Sequence, residues 1–167
     1  TGCYAELSPA DLRDLPGVEM VAGNRAKEHL LDDLLAPVPP ATTLTPAVRP
    51  RTRALVKIQD GCDNACTYCI IHVARGEQRS RPAGEVLDDV RARLAAGYQE
   101  IVLTGVHVGA YGRDRAGGPP EPDLWGLVAR ILAETPVPRL RLSSVEPWDL
   151  PREALALWED PRLCRHL

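Results

Sequence analysis

The chain contains no phenylalanine, and its 3 tryptophans and 4 tyrosines are its only aromatic residues. A core built on aromatic stacking is therefore excluded, and leucine, valine, isoleucine and alanine must fill the interior. Lysine is confined to Lys27 and Lys57, against 18 arginines. That imbalance, with 16 prolines, reads as coding bias and carries no mechanism. No apolar run exceeds about ten residues, half of the roughly 20 that a membrane span needs. The start, Thr1-Gly2-Cys3-Tyr4, lacks a basic region followed by an apolar stretch, so no secretory leader and no membrane partner are expected. A net charge of −3 argues against a uniformly basic nucleic-acid binder.

What is present is ordinary for a globular protein: 44% hydrophobic and 26% charged residues in 167. The charge is unevenly spread. Residues 1–48 carry 3 basic and 7 acidic side chains, residues 49–81 carry 7 and 3, and residues 82–167 carry 10 and 13. The basic middle third also holds Cys62, Cys66 and Cys69, three of the five cysteines. An odd, crowded set is a poor disulfide framework and a good metal-ligand cluster, which places the protein in a reducing cytoplasm.

The pattern along the chain divides it in three. Residues 1–36 look like the tail of an α/β unit. Ser8 and Pro9 start a helix, Val18–Ala22 alternates as a strand, and Asn24 caps a helix with apolar positions Ala26, Leu30, Leu31, Leu34 and Leu35. Residues 37–50 hold Pro37, Pro39, Pro40, Pro46 and Pro50 and read as a stiff linker. From residue 51 to 167 the expected order is β-α-β-α-β-α. Strands fall at 55–58, 100–104 and 139–145, and helices at 83–96, 124–132 and from Pro151. Such alternation predicts parallel strands with crossover helices. Three units make half a barrel, so the sequence reads as a piece of a longer protein.

The chemistry lies in Cys62-Asp63-Asn64-Ala65-Cys66-Thr67-Tyr68-Cys69, a C-x-x-x-C-x-x-C loop after the first strand. Three thiolates can hold three irons of a [4Fe–4S] cube and leave the fourth open to a substrate. At the C-terminal end of a barrel strand, the loop would sit where barrel active sites lie. Zinc is the alternative: His72 follows Cys69 at x-x spacing and completes a Cys₃His set. That reading makes the protein a non-enzymatic, zinc-stabilised RNA-binding module.

The cysteine loop resembles that of the radical S-adenosylmethionine (SAM) superfamily. Its flanks, Lys57-Ile58-Gln59-Asp60-Gly61 and Ala74-Arg75-Gly76-Glu77-Gln78-Arg79-Ser80-Arg81-Pro82, are similar to those of the methylthiotransferases. His72 departs from the proline usual there. Thr1-Gly2-Cys3-Tyr4-Ala5 resembles the last cysteine motif of their N-terminal domain. Leu103–Gly112 and Ser143-Ser144-Val145-Glu146-Pro147 resemble the enzymes acting on N6-threonylcarbamoyladenosine in tRNA. The isopentenyladenosine and ribosomal-protein enzymes usually carry Gly-Gln-Asn and Gly-Gln-Asp in the first of these stretches.

The resemblance implies a partial radical-SAM (β/α) barrel, its first three βα units, preceded by the tail of an α/β N-terminal domain. It implies a [4Fe–4S] cluster on Cys62, Cys66 and Cys69 with SAM at the open iron. A second, auxiliary [4Fe–4S] cluster would use Cys3 plus two ligands outside this chain. SAM cleavage, fed by an electron donor, would make a 5′-deoxyadenosyl radical that takes hydrogen from carbon-2 of the adenine next to the anticodon. The auxiliary cluster would supply sulfur and a second SAM the methyl group. Another tRNA adenosine or a ribosomal protein is the alternative substrate. This piece alone is expected to be inactive.

Tyr68, Thr104, Gly105 and Glu146 are the expected SAM contacts. A glycine at the end of a strand lets a ligand approach the backbone. Arg75, Arg79 and Arg81 form a basic stretch suited to tRNA phosphate or a cofactor carboxylate. Arg49, Arg51 and Arg53 flank the linker as further RNA candidates. His107 reads as an isolated, non-catalytic histidine, and Cys164 as a small buried hydrophobe.

Overall fold

In Arg53-Ala54-Leu55-Val56-Lys57 every second side chain is apolar and inward, the period of a strand with one covered face. A computed structural model describes residues 1–24, 26–28, 30, 52–115 and 122–166, and forms strand β1 from Arg53 to Lys57. Ala54 and Val56 are buried, whereas Leu55 faces outward. Strand β4, Glu100–Thr104, lies in the middle of a three-stranded sheet between β1 and β5, Leu140–Leu142. Both pairings are parallel, with Leu55 opposite Val102 and Val102 opposite Arg141. A central strand flanked on both edges must be apolar, and Ile101, Val102 and Leu103 are.

Helices link the parallel strands. Helix α4, Ala83–Ala95, buries Val86, Leu87 and Val90, one helical face. It ends before Gly97, which takes φ +92°. Helix α5, Leu124–Glu134, starts where the Asp123 carboxylate accepts from Gly126 N at 2.8 Å. It ends at Thr135, one residue before Pro136. The core is aliphatic, as the lack of phenylalanine requires: Val56, Ile58, Leu87, Ile101, Leu103, Leu127, Ile131 and Leu140 are fully covered. Each such side chain contributes about 1.5–3 kcal/mol on burial.

The expected β-α-β-α-β order is present, with differences. Strand three is shorter than the expected 139–145. Residues Arg152–Glu159 wind as a 3-10 helix. A two-stranded antiparallel ladder joins β2, Gln59–Asp60, to β3, Arg79–Ser80, a pairing too short for periodicity to reveal. Arg53, one of the RNA candidates beside the linker, lies within β1.

The chain divides into two compact units. One comprises the described part of residues 1–48 with Cys62–Glu77, the other the described part of 49–61 with Gln78–Leu167. In the first, helices α1 (Cys3–Leu7), α2 (Pro9–Arg13) and α3 (Ile71–Arg75) are short, and α1 packs on α3. Helix α2 begins at Pro9 as expected, though the Ser8 side chain makes no capping bond. The expected strand at Val18–Ala22 does not form. No partner strand takes up its backbone groups among the described residues, and Val18 and Met20 face solvent.

Asn24 is buried and acts as a bridge. Its backbone N donates to Glu6 Oε2 at 2.7 Å, its Nδ2 donates to Ala74 O, and its Oδ1 accepts from Lys27 Nζ. Next comes a 3-10 turn, Ala26–Glu28. Most of the helix expected to follow, the linker 37–50, Arg49 and Arg51 lie outside the described residues. No described helix is long and apolar enough to cross a membrane.

Candidate functional site

Strand β2 delivers the chain to Gly61, which turns at φ +72° just before Cys62. Asp60 fixes that turn: its Oδ1 accepts from Gly61 N at 2.9 Å and its Oδ2 from Lys57 Nζ at 2.9 Å. The loop then runs to Ile70 without helix or strand. Cys69 N donates to Cys66 O, and Cys62 N to Gly76 O, each at 3.1 Å, so the loop is closed at its base. Cys62 and Cys69 are half-buried, Cys66 is exposed, and all three are free thiols. Tyr68 is 91% exposed.

Among the described residues no three His, Cys, Asp or Glu side chains are gathered as metal ligands. The donor set nevertheless fits an iron–sulfur cluster by its chemistry. Three soft thiol donors share one short, solvent-facing loop, and none is consumed in a disulfide. His72, on the first turn of α3, has its Nδ1 buried with no hydrogen-bond partner among the described residues. Cys3 opens α1 in the same compact unit as the loop.

Thr104, Gly105 and Glu146 belong to the second unit. Thr104 ends β4 and Gly105 follows it, and Glu146 follows the adjacent parallel strand β5 after a three-residue gap, Ser143–Val145. Glu146 is exposed and opens a 3-10 turn, Pro147–Asp149. At Gly105 a Cβ would stand 2.8 Å from Gln59 Oε1 and 3.0 Å from Gln59 O, so the glycine admits another side chain of the protein itself. Gln59 is 1% exposed and uses its whole amide. Its Oε1 accepts from Val106 N and His107 N at 2.9 and 2.8 Å, and its Nε2 donates to Asp60 O and Gly61 O. One side chain thus ties the residue before Cys62 to the loop after β4.

The arginines differ among themselves. Arg81 Nη1 donates to Lys57 O at 2.8 Å and to Asp89 at 3.2 Å, so its guanidinium is engaged within the protein. Burial pushes the Asp89 carboxyl up, but hydrogen bonds from Arg93 and Arg81 outweigh it and hold it below the usual carboxylate range. Arg79 lies in β3 opposite Asp60, and Arg75, half-buried, ends α3.

Two residues that the sequence reading passed over organise this end of the second unit: Gln59 and Asp149. The latter stands 2.7 Å from His107, which is therefore not isolated. Neither pairing has a local sequence signal, because the partners are 47 or 48 and 42 residues apart. Two clefts of about 570 Å³ are lined by residues between Arg139 and His166 and contain none of the candidate residues. Cys164, in the second of them, is half-buried rather than enclosed.

A family description, the Radical SAM superfamily, matches residues 56–163. The chain is 36% identical over 184 residues to Threonylcarbamoyladenosine tRNA methylthiotransferase MtaB of Bacillus subtilis (strain 168), covering 100% of this chain and 40% of that protein. It is 36% identical over 181 residues to the protein of the same name from Thermotoga maritima, with the same coverage. Ribosomal protein uS12 methylthiotransferase RimO of Desulfotalea psychrophila is 42% identical over 119 residues, 71% of this chain and 26% of that protein. The chain spans about two-fifths of the length of the first of these relatives.

Proposed function

The chain belongs to the radical SAM superfamily, and we propose that it is part of a methylthiotransferase acting on carbon-2 of N6-threonylcarbamoyladenosine in tRNA. The observation that carries the chemistry is the set of three free cysteines on one solvent-facing loop after the first parallel strand. The substrate rests on relatives of that name aligned over the whole chain. Under this reading the sheet is the first part of a (β/α) barrel, residues 51–167. Residues 1–36 are the tail of an N-terminal domain, joined by the linker 37–50.

Cys62, Cys66 and Cys69 would hold a [4Fe–4S] cluster, and Cys3 would be one ligand of a second. When bound, the first cluster supplies the electron that cleaves SAM to the radical that abstracts hydrogen from the substrate. The protein's own residues bind and orient. Thr104 and Gly105 offer the end of β4 to the methionine end of SAM, Glu146 accepts a hydrogen bond from its amine or a hydroxyl, and Tyr68 borders the adenine. Arg75 and Arg79 face the anionic partners, tRNA phosphate or the SAM carboxylate. Arg81 contributes through its bonds to Lys57 O and Asp89, which brace the exit from β3. The target adenine must be splayed out of the RNA to reach the site. The partners are tRNA, SAM and an electron donor, in the cytoplasm.

A second substrate has a specific observation behind it: the 42% identity to a ribosomal-protein enzyme. One experiment separates the readings. The full-length protein is reconstituted anaerobically with iron and sulfide and given SAM, a reductant and either the modified tRNA or protein uS12. The expected result is a brown species absorbing at ~400 nm. It is lost on replacing Cys62, Cys66 or Cys69 by alanine, and methylthiolation is confined to the tRNA. Methylthiolated uS12 would reassign the substrate. A colourless protein holding stoichiometric zinc would replace the enzyme by the Cys₃His module.

A further inference from the structure

Asp149 is a carboxylate almost wholly removed from solvent, its side chain 1% exposed. Its Oδ2 lies 2.7 Å from His107 Nε2, and its Oδ1 accepts from Arg113 Nη2 at 2.5 Å. Its backbone is fixed as well: its carbonyl accepts from Trp125 Nε1 at 3.0 Å, and its N donates to Glu146 O at 2.9 Å. Gly109 makes room for it, since a Cβ there would stand 2.5 Å from Asp149 Cβ and Oδ2. An ionised carboxylate only accepts, so the proton between the two side chains sits on His107 Nε2.

His107 is therefore held through both its backbone and its ring. Its backbone N is bound by Gln59 Oε1, and its ring by Asp149. The second bond joins two loops that are 42 residues apart in sequence. One carries Thr104 and Gly105 at the end of β4; the other is the Pro147–Asp149 turn, which Glu146 opens. Breaking the bond leaves a buried acceptor half-satisfied, a desolvation penalty the intact fold does not carry.

We propose that His107 is a positioning residue for SAM: through Asp149 it sets the spacing between Thr104-Gly105 and Glu146. The inference rests on the SAM reading of those three residues. It assigns to His107 no contact with SAM, only control of the two loops that make contact.

The test compares two variants of similar volume in the full-length, cluster-loaded protein. His107→Gln keeps an N–H donor at the position of Nε2; His107→Met removes it. Iron content and thermal midpoint are measured first, then SAM affinity by equilibrium dialysis and the change that SAM produces in the electron paramagnetic resonance spectrum of the reduced cluster. The expected result is wild-type-like SAM binding for His107→Gln. For His107→Met the affinity falls about tenfold with a weakened spectral response, the scale of one buried hydrogen bond left unmade. KM for SAM rises accordingly while KM for the RNA stays unchanged. In an Asp149→Asn background the Gln–Met difference shrinks. Equal SAM affinity in both variants, or equal loss in both, overturns the proposal. A wild-type protein that carries its cluster but ignores SAM overturns the SAM reading itself, a distinct outcome.

Discussion

The side chain of Gln59 occupies the space that a Cβ on Gly105 would need: the ideal position lies 2.8 Å from Gln59 Oε1, 3.0 Å from its carbonyl oxygen and 3.1 Å from its Cβ. Two of those three atoms belong to the backbone or its first side-chain carbon, so rotation of the amide alone cannot relieve the contact. Gly105→Ala is expected to destabilise the protein by about 1–3 kcal/mol, the range for overpacking a tight site. Gly84, near the start of α4, has nothing within 4 Å of its Cβ position. Gly84→Ala is expected to stabilise by up to about 1 kcal/mol. Urea unfolding of the two variants should shift the midpoint in opposite directions; an unchanged or raised midpoint for Gly105→Ala contradicts the packing at Gly105.

Gln59→Leu keeps most of the volume and removes every polar atom. Val106 N and His107 N then lose their acceptor, and Asp60 O and Gly61 O a donor. Each buried group left unpaired costs about 1–3 kcal/mol, so the variant is strongly destabilised. The local signature is faster hydrogen exchange at the amides of Val106 and His107. Unchanged protection there removes Gln59 from its bridging role.

Glu100 is buried among three arginines, with Nε of Arg53, Arg141 and Arg139 at 2.8, 2.9 and 3.3 Å from its carboxylate oxygens. Burial pushes its carboxyl up, but the hydrogen bond from Arg141 and the charges of Arg53, Arg141 and Arg139 together hold it below the usual carboxylate range. A depressed native value means the unfolded chain binds the proton first as pH falls. The stability Glu100 contributes is thus complete above the ordinary glutamate pKa of about 4.3 and is lost as pH falls through the lower native value. Denaturation midpoints between about pH 6 and pH 3 should decline, and Glu100→Gln should decline less steeply over that window while being weaker at neutral pH. An identical acid slope in the variant assigns the decline to other carboxyls.

Asp123 caps α5 through its bond from Gly126 N at 2.8 Å. Asp123→Ala is expected to cost about 1 kcal/mol and Asp123→Asn close to nothing, because asparagine caps as well. Thermal unfolding distinguishes them; equal losses would tie the effect to charge rather than to the cap.

Much was legible before any tertiary structure was known, and for a local reason. Strand and helix periods in residues 53–57, 83–95, 100–104 and 124–134 are written within a few residues of each other, and burial of one face enforces them. The donor set is equally local, since Cys62, Cys66 and Cys69 lie within eight residues. Val18–Ala22 marks where local pattern misleads: alternation alone makes no strand without a neighbour to complete its hydrogen bonds.

The sequence alone determined the order of elements, an aliphatic core without phenylalanine and a thiol loop fit for a soft metal. Tertiary structure decided what Gln59, Gly105, His107 and Asp149 do. Gly105 resembles any turn glycine until Gln59 is placed against it, and His107 resembles a lone histidine until Asp149 arrives from 42 residues away. Buried polar groups must find partners wherever the fold supplies them. Their identity is set by which strands lie side by side, a relation that no short stretch of sequence records.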